Sequence, residues 1–351
     1  MKILILLIIP IFLFSCEINS NEVGNIQTGT DSTRNGEFII NFDTLSINLK
    51  PFVSSTFGKY YSLTHAIKYK DNFYCYFTAN SDSYKKFFFI ISKNGKVEGK
   101  IQLPRDITNC FYLDLFVLND TIYTKPYMNK LNYYLDMQKL IWKEISEPDD
   151  VIYEDEKFYV TNLNFGEWGR TTWFKDKLTG KEYELASSSS IINRLENCYY
   201  IASGTRILKI ENPLKMKKCD TNYYYQIVKK MDYNEGTNSL LGSETIYKDT
   251  TYSYWGFQEP ETYIATSFKA DNQLYYFCYD SIGAYIAQLD SNKLISVKRI
   301  EFKYPVFNWS YSYRCRIIEN EQLLKFKKNN EFGFIEIKGK QIDVISLAFK
   351  E

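Results

Sequence analysis

The stretch from Asp114 to Ile145 most constrains what this chain can fold into, because it is one four-part unit that recurs. An apolar run ends at Asn119-Asp120, and a second opens at Ile122-Tyr123. A third starts at Leu131, turns at Asp136 to Lys139, and is followed by a fourth through Leu140, Ile141 and Trp142. Short apolar runs separated by Asn/Asp turns are what an antiparallel meander of four strands requires. Aligned without gaps on Tyr123, the tetrads are Asp71-Asn-Phe-Tyr74, Asp120-Thr-Ile-Tyr123, Glu156-Lys-Phe-Tyr159, Asn197-Cys-Tyr-Tyr200, Asn272-Gln-Leu-Tyr275 and Glu321-Gln-Leu-Leu324. Seven residues earlier stand Ile67, Phe116, Ile152, Asn193, Phe268 and Ile317, apolar in all but one copy. The anchor spacings are 49, 36, 41, 75 and 49 residues.

A module of about 40–50 residues that cannot bury its faces alone is the signature of a propeller blade. The expected fold is therefore all-β: a six-bladed β-propeller of four-stranded antiparallel blades. The strand Phe38 to Leu49 would close the ring by completing the last blade beside Gly333 to Leu347, so that no edge is left open. Expected blades run Ser62–Leu103, Phe111–Ile145, Val151–Leu185, Ile191–Lys218, Thr262–Phe302 and Arg314–Leu347. Their turns would fall at Asn94-Gly95, Asp136 to Lys139, Leu178 to Gly180, Asn212-Pro213, Asp290 to Lys293 and Lys338-Gly339. The 31 Tyr and 25 Phe suit pleated, half-buried surfaces. No stretch sustains a helical period.

The N-terminus carries a different message. Lys2 precedes an apolar run, Ile3 to Phe14, which is too short to span a bilayer and suits a secretory signal. The run ends in Leu13-Phe14-Ser15-Cys16, which resembles the bacterial lipobox, so residues 1–15 are expected to be removed and Cys16 to be acylated. Residues 16–36 are Asn, Ser, Thr, Gly and Glu with isolated apolar residues, the composition of a lipid-anchored flexible tether. Residues 37–351 form the propeller domain. Glu17 in place of aspartate favours an outer-membrane address by the same resemblance, on either the periplasmic or the external side.

Charge and motifs exclude several chemistries. Lys+Arg 43 against Asp+Glu 42 leaves no basic footprint for nucleic acid. With one histidine, His65, and no Cys-x-x-Cys, the common zinc sites are absent, and neither a metal nor a cofactor is expected. There is no Gly-x-Ser-x-Gly elbow, and Gly95-Lys-Val-Glu-Gly99-Lys100 lacks the spacing of a phosphate loop. Six cysteines follow Cys16, irregularly spaced; they could pair or stay as buried thiols in a core this large.

Two regions remain as candidate ligand sites. The inner strands would bring His65, Asp114, Asp150, Arg194, Arg314 and Arg316 towards a central channel, where charges either mark a site or bond across strands. The long interval Thr221 to Glu261 holds Tyr252, Tyr254, Trp255, Phe257 and Glu259. Flat aromatic faces beside a carboxylate suit a sugar or peptide, and long loops on rigid scaffolds carry binding; an outer strand pair covered by its own aromatics is the plainer reading.

The lipobox, the polar tether, the strand Asp43-Thr-Leu-Ser-Ile47 and the tyrosine-rich units together resemble the propeller lipoproteins of Bacteroidota cell envelopes, many of unknown function. That resemblance implies an envelope location and a six-bladed ring, and no reaction. The leading expectation is a non-catalytic binding lipoprotein, held at the membrane by its acyl chains, with a glycan, peptide or envelope-protein partner. The alternatives are a carbohydrate-active enzyme using Asp114, Asp150 or Glu259 as paired acid and base, or an outer-membrane assembly scaffold.

Overall fold

The computed structural model describes residues 37–52, 61–79, 85–109, 113–118, 120–126, 132–145, 151–164, 169–187, 191–219, 236–251, 260–307, 321–328 and 331–350. These residues build six small sheets, each made mostly of strands that follow one another in the chain, and together they form a six-bladed β-propeller. Blade one contains Tyr61–Tyr69, Asn72–Ala79, Lys86–Ser92 and Val97–Ile101, in that order from first to fourth strand. Blade two contains Leu113–Leu118, Thr121–Pro126, Asn132–Asp136 and Ile141–Ile145. Blade five contains Tyr263–Ala270, Gln273–Tyr279, Ala284–Asp290 and Lys293–Arg299. Within each of these blades the pairing is antiparallel throughout. A single helical turn, Arg105–Asn109, joins blades one and two.

The repeat has a physical cause. All six anchors, from Tyr74 to Leu324, lie near the start of a blade's second strand. The polar residues before them make the tight turn from first to second strand, where Lys70, Asp120, Glu196, Asp271 and Asn272 have positive φ. Asp and Asn tolerate that conformation best among non-glycine residues. Asp271-Asn272 and Ser291-Asn292 each place two consecutive residues there, as a two-residue hairpin demands. The tyrosines themselves have no common burial: Tyr74 and Tyr275 are buried, whereas Tyr159 is exposed beneath the Lys177 ammonium, 4.2 Å from its ring centre.

Three sheets depart from the expected assignment. Blade three, Val151–Glu154, Phe158–Asn164, Arg170–Asp176 and Glu182–Leu185, gains a fifth strand, Lys217–Lys218. That pair was expected to end blade four. Blade four is instead Ile192–Leu195, Cys198–Ser203, Arg206–Ile210 and Glu244–Lys248, so its last strand comes from the long interval. Asn212 caps the 3-10 turn Pro213–Lys215 by accepting from the Leu214 amide, and this turn sends the chain back to blade three. The 75-residue anchor spacing is this excursion. In the last blade the strand beside Glu321–Lys328 is Val306–Phe307, upstream of the expected start at Arg314.

The N-terminal strand does close the last blade, as an additional outermost strand. Ile39–Ile47 pairs with Gln341–Phe349, in register from Ile39↔Gln341 to Ile47↔Phe349, and the pairing is parallel. The order is therefore Ile39–Ile47, Gln341–Phe349, Glu331–Lys338, Glu321–Lys328, Val306–Phe307. The two ends of the domain are thus sewn into one blade.

Apolar layers lie between neighbouring blades. Phe73, Phe77 and Phe89 of blade one pack with Phe332, Phe334 and Leu347 of blade six, and with Leu45 and Ile47 of the closing strand. Phe73 stacks on Phe334 at 4.9 Å between ring centres. Phe88 meets Trp142 of blade two edge-on at 5.4 Å. Such pairs add about 0.5–1.5 kcal/mol beyond burial. Because both faces of a middle strand are covered, Phe88 to Ile91 are all buried in succession, and strict alternation is lost there. Cys75, Cys219 and Cys278 are buried free thiols, and Cys198 is a half-buried one.

Candidate functional site

The first strands of blades one and two, and those of blades four and five, approach one another, which makes them an inner lining of the ring. Polar groups on and beside these strands bond from blade to blade. The Asn193 amide donates to the Ser267 hydroxyl at 2.7 Å and to its carbonyl at 3.1 Å. Gln322 donates to the same carbonyl at 2.8 Å and accepts from the Thr266 hydroxyl. All four side chains are buried. Lys68 pairs with Glu336 across the seam of blades one and six, and Lys338 shares that carboxylate at 3.0 Å. Buried polar groups are costly unless bonded in this way, so this belt fixes the register of the blades.

Arg194 belongs to the same system. Its Nη1 lies 3.3 Å from Asp155 Oδ2 and 2.5 Å from Glu156 Oε1, both in the first turn of blade three. Tyr199 donates to the same Asp155 oxygen at 2.6 Å, and the guanidinium carbon stands 5.7 Å from the Tyr199 ring. The hydrogen bond to Glu156 raises the Arg194 pKa further. The structure therefore places Arg194 as a clamp between blades three and four.

His65 is 4% exposed on the first strand of blade one. Beside it, Lys325 Nζ donates to the Thr64 carbonyl at 3.4 Å and Lys327 Nζ to the Ser62 hydroxyl at 2.8 Å. Burial above all, then the Lys325 ammonium, hold the His65 pKa down at about 3. Burial and Lys327 push Lys325 down to about 8. The two depressed values have the same sign. An unfolded histidine takes up its proton near pH 6.5 while the folded one stays neutral, so stability present above that value is lost as pH falls towards 3. Urea unfolding of the wild type is expected to weaken by up to about 1.4 kcal/mol per pH unit between pH 6 and 4 from this group. His65→Leu should flatten that part of the profile; an unchanged slope would show that His65 does not carry it.

Of the remaining channel candidates, Asp114 is placed only by its backbone, in the first strand of blade two opposite Lys125. Asp150, Arg314 and Arg316 lie outside the described residues, as do Cys16, Tyr252, Tyr254, Trp255, Phe257 and Glu259. The ends of the segment carrying those aromatics are nonetheless fixed. The Asp249 carboxylate accepts from the Thr251 amide at 2.9 Å and from the Thr262 amide at 2.9 Å. Thr251 Oγ1 in turn accepts from the Glu261 amide at 3.2 Å, and the Asp249 amide donates to Thr205 in blade four at 2.9 Å. Residues 251 and 261 are thereby clasped at the seam of blades four and five.

A second clasp holds the long interval to blade three. Glu184 receives Lys217 and the Thr237 hydroxyl, each at 2.7 Å, on one oxygen and Cys219 Sγ at 3.3 Å on the other. The Thr237 amide donates to Thr171 Oγ1 at 2.9 Å, and Ala186 donates to the Ser239 carbonyl at 2.8 Å. Sequence reading missed both clasps, although the Asp-x-Thr at 249–251 is the pattern of a side chain bonding its own backbone. Among the described residues no group of His, Cys, Asp and Glu side chains is arranged to hold a metal ion. No helix is long and apolar enough to cross a membrane among them.

No family model matches this chain, and no curated protein does. Solved structures give distant likenesses. Kluyveromyces lactis Hsv2 is 7% identical with a TM-score of 0.32, over 79% of this chain and 74% of that one. The extracellular domain of a putative one-component system from B. thetaiotaomicron is 10% identical at 0.30, over 78% of this chain and 32% of that one. A putative exported protein from Bacteroides fragilis is 10% identical at 0.24, over 86% and 77%. Likenesses of this degree assign neither family nor ligand, and the six-bladed architecture rests on the strand pairing itself.

Proposed function

We propose that this chain is a lipid-anchored envelope protein whose propeller binds a glycan, peptide or protein partner without transforming it. The observation that carries the reading is the clasp of Asp249, Thr251, Glu261 and Thr262 at the seam of blades four and five. It roots both ends of the segment holding Tyr252, Tyr254, Trp255, Phe257 and Glu259 to a rigid scaffold, which is the arrangement that lowers the ordering cost of a binding loop. Two of the described inner-strand charges, Arg194 and Lys68, are engaged in joining blades. An outer-membrane anchor at Cys16 would leave the ring tethered by residues 16–36, free to meet a partner at the membrane surface.

The test uses the full-length chain in detergent against an array of neutral and acidic polysaccharides and peptides. Trp255→Ala should weaken the retained ligand by roughly 30-fold, the effect of losing a buried aromatic anchor, with no change in the unfolding midpoint. Binding that survives Trp255→Ala and Tyr254→Ala unchanged would refute the assignment. Turnover of an array glycan, abolished by Asp114→Asn or Asp150→Asn, would replace it with the enzyme reading.

A further inference from the structure

Arg170 and Arg206 occupy the same position in consecutive blades: each is the first residue of the third strand, in blade three and blade four respectively. Arg206 is half-buried at the seam between them. Its Nη2 donates to the Ala186 carbonyl at 3.0 Å, the one hydrogen bond this guanidinium makes among the described residues. Most of its donors therefore lack an acceptor there. Across the sheet its partners are Ser203 on one side and Lys248 on the other. The Asp249 carboxylate, which follows Lys248 in the chain, is already filled by the Thr251 and Thr262 amides and the Thr251 hydroxyl. Burial, and secondarily the charge of Arg170, lower the Arg206 pKa, so its cation is desolvated beside a like charge.

A half-buried guanidinium that feels a second guanidinium, and that is answered among the described residues by a neutral carbonyl, is short of one negative charge. The planar edge of an arginine matches a carboxylate in two parallel hydrogen bonds. A phosphate dianion is more often cradled by several backbone amides at a helix start or glycine loop, and the described residues around Arg206 are strand and hairpin. We propose that the seam between blades three and four is a binding site for a carboxylate group, held by Arg206, with Arg170 supplying the surrounding positive field. An acidic sugar or an acidic peptide side chain carries this group. The site stands on its own residues and does not depend on the aromatic segment at the next seam.

The experiment is arginine footprinting with phenylglyoxal on the full-length protein, read at Arg206 by peptide mass spectrometry. Probes are sodium galacturonate, neutral galactose, inorganic phosphate and sodium chloride at matched ionic strength. Galacturonate is expected to slow Arg206 modification at least threefold, with galactose and chloride without effect, and Arg170→Gln should remove most of that protection. Protection no greater than that of chloride would overturn the proposal. So would protection by phosphate without protection by galacturonate. An Arg206 that is already unreactive without ligand in the folded protein would show that the chain itself fills the site, and this too would overturn it.

Discussion

Ile47→Asp should destabilise the protein by on the order of 4 kcal/mol, the cost of an unpaired charge in a fully enclosed apolar site. Ile47 is 0% exposed and packs with Leu45, Leu347 and the phenylalanines of blades one and six. Its strand has no turn to hold it in place and depends on parallel pairing with the other end of the domain. The carboxylate would have to be buried or the strand would have to leave, and leaving exposes Phe77, Phe89 and Phe334 at the seam. Hydrogen exchange should then show Gln341–Phe349 opening before the rest of the ring. Phe42→Asp supplies the contrast on the same strand, because Phe42 is 56% exposed and its replacement should cost no more than about 0.5 kcal/mol. Equal effects from the two substitutions would mean that the closing strand is not packed as described.

Gly333→Ala should cost about 3 kcal/mol or more, although it adds a single methyl group. A Cβ at Gly333 would overlap the Ile345 carbonyl oxygen and stand 2.6 Å from a ring carbon of Phe326. The carbonyl lies on the strand paired with Gly333, and Phe326 is locked in the blade interior, so neither can yield cheaply. At roughly 1.5 °C per kcal/mol for a domain of this size, the unfolding midpoint should drop by about 4 °C or more. Gly180→Ala separates sterics from backbone preference. Gly180 sits at φ +67° with nothing within 4 Å of the added methyl, so it should cost only the left-handed penalty of about 1–2 kcal/mol. A larger loss at Gly180 than at Gly333 would contradict the packing.

The blades were legible because a tight turn leaves a local chemical mark. Asp120, Asn272, Gly95, Gly180 and Gly339 all have the positive φ that their residue types announce. The fifth strand of blade three was not legible. Lys217-Lys218 is two polar residues whose pairing with Glu184 and Tyr183 is decided by Asn212 turning the chain, a tertiary outcome with no periodicity of its own. Strand direction was equally hidden: Ile39 to Ile47 alternates the same way in a parallel or an antiparallel pair, and only the register shows which. In the candidate site, Arg194 was found as an inner-strand charge, and its carboxylates, Asp155 and Glu156, lie in the neighbouring blade. Arg206 was overlooked because its companion, Arg170, is distant in sequence and adjacent only once the blades are stacked.

Every site described above presupposes that the two ends of residues 37–351 meet in one blade, side by side and running the same way. A disulfide between paired positions tests this directly. Thr44 lies opposite Ser346 in the parallel register, whereas an antiparallel strand centred on the same pair Asp43 and Ile345 would bring Ile39 to Phe349. Mild oxidation of the Thr44→Cys/Ser346→Cys protein should link the N-terminal and C-terminal tryptic peptides nearly quantitatively, with little linkage in Ile39→Cys/Phe349→Cys. Linkage in the second protein and none in the first would contradict the closed ring as described.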